Sequence, residues 1–226
     1  MSERYLVTQS LLSSWAYTFD CYEGKEEEAY ENFLRTLHRE KSEPSEAMLK
    51  GIEFENLCYS IANGTFRPKW VDEGEVVRST GEVKGHYEYP KFYTGAKKIA
   101  KIIEAAPVQV KASKEVVVDG ITFLVYGILD ALKAGTIYDV KFMDKSMSKV
   151  DVYGKYLDSP QHPFYFTLVP EASEFTYLLS DGQDVYQETY RREDCRSAES
   201  LIAEFIEGLR SANLLEDYFQ HWKARP

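Results

Sequence analysis

Apolar residues recur along this chain of 226 residues with two different periods. The first third reads as helix. TQSLLSSWAYT, residues 8 to 18, is a short helix, and residues 26 to 40 form a charged amphipathic one. A third lies within KSEPSEAMLKGIEFENLCYSIANG, residues 41 to 64, with Pro44 early in it and Asn63-Gly64 closing it. Residues 65 to 92 mix glycine, proline and aromatics without a period and are expected to be irregular; 93 to 105 return to helix. From residue 107 the period falls to two. VQVKASKEVVV, a turn at Asp119-Gly120, ITFLVYGILD, a connection holding Gly135, and TIYDVKF read as an antiparallel meander. A polar stretch leads to PQHPFYFTLV, read as a helix, then to the strands EFTYLLS and VYQETY and a terminal helix from about 197 to 222. This order predicts a mixed α/β fold: one domain with a central mixed sheet flanked by helices.

Composition agrees with a folded, intracellular chain. At 44% hydrophobic and 14% aromatic it can bury a proper core. Cys21, Cys58 and Cys195 are far apart and contain no CxxC pair, which argues against a disulfide framework or zinc ribbon and for a reducing cytoplasm. MSERYLVTQS is too polar for a signal peptide, and no run approaches the roughly 18 apolar residues of a membrane span. The net charge of −10 argues against a polyanionic partner until its distribution is considered. Residues 84 to 114 hold seven lysines (84, 91, 97, 98, 101, 111, 114) against Glu88 and Glu104, so a polarised surface, or simply a solvated helix face, is expected there.

The strand runs contain unexpected polar groups. Asp130 ends the first run; Asp139 and Lys141 interrupt the second, where alternation sends both to one face. An isolated buried carboxylate is costly, so these groups belong at a sheet edge or in a cleft. Two neighbouring carboxylates repel unless a cation intervenes. Lysine supplies part of that charge. Mg²⁺ or Mn²⁺, which takes hard oxygen ligands and one or two protein carboxylates, would supply the rest. A plain Asp–Lys ion pair is the other reading of D-x-K.

Asp130 at a strand end, followed by Asp139-Val140-Lys141 on the next strand, resembles the PD-(D/E)XK nuclease signature, with Leu129 in place of the proline. Two further stretches extend the resemblance to the phage exonuclease and RecB-like branch. KGIEFENLCY, residues 50 to 59, is similar to that branch's G-x-x-x-E helix, with the acid at Glu55. On a helix, Met48, Ile52, Glu55 and Tyr59 form one stripe, and Gly51, Glu55, Cys58 and Ala62 another beside it. Glu55 is therefore expected to face the sheet, and Glu53 to be solvated. Gln161-His162-Pro163-Phe164-Tyr165 is similar to the Q-x-x-x-Y motif, whose spacing puts Gln161 and Tyr165 on one helix face. TQSLLSSWAY resembles the branch's N-terminal serine-rich helix. The resemblance covers about residues 45 to 180, leaving 1–44 and the last helix as appendages.

The resemblance implies a restriction-endonuclease-like core and Mg²⁺- or Mn²⁺-dependent hydrolysis of DNA. Asp130, Asp139 and the Val140 carbonyl would hold the metal, with Glu55 completing the shell. Lys141 would orient or help deprotonate the attacking water. Gln161 and Tyr165 would position the strand, and the lysine-rich segment would track the backbone. Partners implied are DNA and a recombination or annealing protein, in a bacterial or phage-infected cell. Some relatives carry an iron-sulfur cluster on four cysteines; three scattered ones imply none, with Cys21 a small buried residue. His162 is either a surface residue or a DNA contact. A DNA exonuclease is the leading reading. A restriction-type or structure-specific endonuclease, and a non-cleaving binder or decoy of the same fold, remain open.

Overall fold

Hydroxyl side chains start three of the helices. Thr8, Ser45 and Ser197 accept from the backbone N–H groups of Leu11, Met48 and Ser200 and so cap α1 (Gln9–Asp20), α3 (Glu46–Ala62) and α6 (Ala198–Ser211). Pro44 thus precedes the cap of α3 rather than lying within the helix. Asn63 and Gly64 close α3 as expected, returning N–H groups to Tyr59 and Ile61. These elements belong to a computed structural model that describes residues 3–76, 83–145 and 153–224. Residues 146–152 of the expected polar connection and the Lys84 side chain lie outside the described residues.

The remaining elements are β1 (Arg4–Thr8), α2 (Glu26–Leu37), β2 (Lys69–Val76), β3 (Val83–Glu88), α4 (Tyr93–Ile102), β4 (Val108–Val118), β5 (Ile121–Lys133), β6 (Thr136–Phe142), α5 (Gln161–Leu168), β7 (Glu174–Ser180), β8 (Val185–Arg191) and α7 (Leu215–His221). Six strands form the mixed sheet expected from the pattern, in the order β1-β5-β6-β7-β8, with β4 paired to β5. The pairs β1/β5 and β6/β7 are parallel and the others antiparallel.

Two expectations need correction, and one strand falls where the pattern indicated no element. Residues 4 to 8 form a sheet strand, and residues 69 to 88 contain an antiparallel ribbon rather than wholly irregular chain. The terminal helix is two helices, broken where Asn213 takes a left-handed φ of 58°.

The sheet separates two apolar cores. On one side Phe123, Leu129, Tyr177 and Leu179 meet α1, α2, α5, α6 and α7; on the other Ala131, Val140 and Leu178 meet α3 and α4. Each large buried side chain contributes about 1.5–3 kcal/mol.

β5 is long enough to serve two neighbours along one edge. Its first half, Thr122 to Tyr126, pairs with β1, and its end, Ala131 to Lys133, pairs with β6. β4 occupies the opposite edge. Residues Gly127 to Asp130 consequently face a notch between the end of β1 and the start of the β6 ladder.

Candidate active site

The notch gathers most of the polar residues expected from the sequence. Asp130 sits where β5 and β6 part, and its Oδ2 accepts from the Val140 N–H at 2.8 Å, standing in for the missing ladder bond. Its Oδ1 accepts from Gln109 Nε2 at 3.2 Å. Gln109 lies on β4 in a left-handed conformation, φ 53°, and the β4/β5 register skips it. A non-glycine residue held there costs on the order of 1 kcal/mol, a strain that clusters at functional sites.

Asp139 and Lys141 do share one face of β6: their partners on β7, Tyr177 and Leu179, belong to the α5-side core, whereas Val140 and its partner Leu178 belong to the other. Asp139 is only 6% exposed. Lys141 Nζ lies 2.8 Å from its Oδ2, and Gln161 Nε2 donates to its Oδ1. All eight residues of α5 are buried, so Gln161 reaches Asp139 from within the protein. The Tyr165 hydroxyl donates to the Ile128 carbonyl at 2.8 Å. Gly127 permits that approach: an added Cβ would lie 2.9 Å from both Tyr165 Cε1 and Leu168 Cδ1.

Electrostatics tie the groups together. Burial, then the Asp139 charge, pushes the Asp130 carboxyl well above the usual range, against the pull of the Val140 N–H. Glu55 is raised too, first by burial, with Lys141 opposing and Asp139 adding. Burial alone would lower Lys141, but Asp139 outweighs it and the ammonium is held. Glu55 makes no direct hydrogen bond or ion pair among the described residues.

The expected α3 stripe is rotated. Met48 and Ile52 are 58% and 49% exposed, and the buried face runs through Phe54, Cys58 and Tyr59. Glu55 is half-buried at the border of that face, while Glu53 is solvated. The larger Phe54 and Tyr59 gain more by burial, and they set the rotation.

No three His, Cys, Asp or Glu side chains among the described residues converge closely enough to hold a metal ion together. Glu55 therefore shares the field of the two aspartates without joining them in one ligand shell. The donor chemistry still suits a hard cation: the half-buried Asp130 and the buried Asp139 are mutually repelling carboxylates. Asp139 Oδ2 lacks a well-aligned hydrogen bond and depends on Lys141 for its counter-charge.

Other side chains at the site were not evident from the sequence. Gln109 carried no signal. Tyr59 belongs to the expected helix stripe, with no sign in the sequence of a role here; its hydroxyl is buried without an aligned partner, and burial followed by the Asp130 charge raises its pKa. Tyr156 stacks on Tyr177 with centroids 4.2 Å apart, within the field of Lys141 and Asp139. His162 is neither on the surface nor free to contact DNA. It is buried, bonded through Nδ1 to the Tyr177 hydroxyl at 3.2 Å, and stacked on Tyr190. Cys21 is only partly buried and Cys58 fully. No helix of the described residues is long and apolar enough to cross a membrane.

No family model matches the chain, and no curated protein matches it. Among solved structures it is similar to SSO0001 (12% identity, 94% of this chain and 78% of that one, TM-score 0.49). It is also similar to LHK-Exo in complex with dAMP (14%, 95% and 88%, 0.44) and to Rai1 of Scheffersomyces stipitis (13%, 93% and 62%, 0.37).

Proposed function

We propose that this chain is a metal-dependent nuclease that hydrolyses DNA phosphodiester bonds, acting as an exonuclease of the kind phages use in recombination or replication. The observation that carries the proposal is the meeting of Asp130, Asp139, Lys141 and Gln161 in the notch where β5 parts from β6. Four polar groups brought to an interrupted ladder from two strands and a buried helix serve packing poorly and phosphate chemistry well.

Asp130, Asp139 and the Val140 carbonyl would hold Mg²⁺ or Mn²⁺, with Glu55 beside them. When bound, the cation supplies a Lewis acid that polarises a phosphate and acidifies a water. Lys141, held as an ammonium against Asp139, offsets negative charge developing on the phosphate and orients the attacking water. Gln161 fixes the rotamer of Asp139 from behind. Tyr165 acts at one remove: with its hydroxyl on the Ile128 carbonyl, it holds open the strand segment that leads to Asp130.

The test uses linear and circular DNA, single- and double-stranded, with Mg²⁺ or Mn²⁺ and with EDTA. Wild type should degrade linear DNA from its ends, and Asp139→Asn and Lys141→Ala should each be slower by at least about 100-fold. Nicking of circles would indicate an endonuclease. Equal degradation by wild type and both variants would remove the assignment.

A further inference from the structure

The ribbon β2–β3 and the residue that follows it expose three large aromatic side chains. Trp70, Tyr87 and Tyr89 are 48%, 56% and 50% exposed. Trp70 and Tyr87 are directly paired across the strands, so they share a face, with ring centroids 4.9 Å apart. Asp72 and Gly85, the next pair on that face, complete it. Gly85 is needed there because a Cβ would collide with the indole of Trp70. At the foot of the ribbon Tyr89 meets Phe66 and Tyr93, with centroids 6.4 Å and 4.4 Å away.

The opposite face carries polar groups around Val71 that pair with one another. Lys69 pairs with Glu88 at 3.6 Å, and His86 with Glu73 at 3.1 Å. Two acids of the ribbon thus have partners on its back. Beyond the foot, exposed Lys91 and Lys97 lie over the rings of Phe92 and Tyr93, at 5.2 Å and 5.8 Å. This is the lysine-rich segment of a chain whose net charge is −10.

We propose that the Trp70–Tyr87–Tyr89 face is a base-stacking platform for single-stranded nucleic acid, with Lys91 and Lys97 meeting its phosphates. Exposed ring faces beside lysines, in an otherwise acidic protein, match a strand of bases on a polyanionic backbone. A neutral or basic protein partner would use the rings but not the charge, and an acidic peptide would use the charge but brings no row of flat bases for successive rings. The foot of the ribbon is tied to α3: the Phe66 N–H bonds the Ser60 carbonyl at 2.9 Å, and Ser60 lies about 8 Å along α3 from Glu55. As a guide that feeds a strand to the site, the platform rests on the nuclease reading; as a binding surface it does not.

Binding is measured in EDTA, by anisotropy, with a short fluorescein-labelled oligo(dT) strand and with a blunt duplex. The Trp70→Ala/Tyr87→Ala double variant should bind oligo(dT) at least about tenfold more weakly, with duplex affinity changed by less than about twofold. Trp70→Phe should keep oligo(dT) affinity within about threefold. Yet it should lose most of the tryptophan quenching that the strand causes in wild type, since Trp222 is buried and the half-buried Trp15 packs against the core on the far side of the sheet from α3. Unchanged thermal melts confirm intact variants, as these side chains are exposed. Oligo(dT) affinity equal in wild type and the double variant, or no binding by wild type, overturns the platform. Cleavage with Mn²⁺ that Asp139→Asn abolishes, together with unaltered oligo(dT) binding in the double variant, would sink the platform alone. Ribbon-dependent binding without cleavage would sink only the nuclease reading.

Discussion

At the scale of single residues, the half-buried Asp130 and the buried His162 make opposite demands on pH. Asp130 has a folded pKa raised above the unfolded value of about 3.9. Its contribution to stability is therefore present at low pH and lost as pH rises through the folded value. Asp130→Asn, whose carbonyl can still accept from Val140, should be more stable than wild type by about 1–2 kcal/mol at pH 8 in EDTA. That gap should shrink as pH falls toward about 4; a constant gap in denaturant titrations would refute the account. His162 behaves in the reverse way. Burial lowers it to about 4, so its contribution is present above the unfolded value near 6.5 and lost as pH falls through the folded one. His162→Phe should flatten the acid limb of the stability profile by about 2–3 kcal/mol, measured as the difference from wild type at pH 7 and pH 4.5.

At the scale of elements, α5 and β5 act as a unit through Gly127. Gly127→Ala should cost about 1–3 kcal/mol by overpacking. On the nuclease reading it should also slow cleavage, because pushing Tyr165 off the Ile128 carbonyl frees the segment leading to Asp130; denaturation midpoints and a DNA-degradation time course measure the two effects. The period-two strands, β4 to β8, were legible in the sequence because each has an apolar face to bury. So were the end of α3, marked by Asn63-Gly64, and the shared face of Asp139 and Lys141. β1 escaped because five residues, RYLVT, show too few alternations before α1 begins. The ribbon escaped because charges interleave with its aromatics. The Gln109–Asp130 bond joins residues on different strands through a strained backbone, and no local pattern encodes that.

At the scale of the whole molecule, the two ends of the chain close on each other. The Leu6 N–H donates to the Trp222 carbonyl at 2.6 Å, the Ala224 N–H to the Arg4 carbonyl at 2.8 Å, and the Tyr218 hydroxyl to the Leu6 carbonyl at 3.0 Å. The Trp222 indole N–H also donates to the Leu37 carbonyl at 2.7 Å. Trp222→Ala should cost about 3–5 kcal/mol and weaken β1, whose end defines one wall of the notch. Thermal melts should report the first effect, and heat lability of DNA degradation the second.

The shared edge of β5 has a consequence for how this fold tolerates change. A single-residue insertion between Gly135 and Asp139 would turn β6 over by half a pleat, exchanging Val140 for Asp139 and Lys141. Hydrocarbon would then face α5, and an acid and a base would enter the α3–α4 layer. Length in that short hairpin is consequently constrained by chemistry as tightly as by folding.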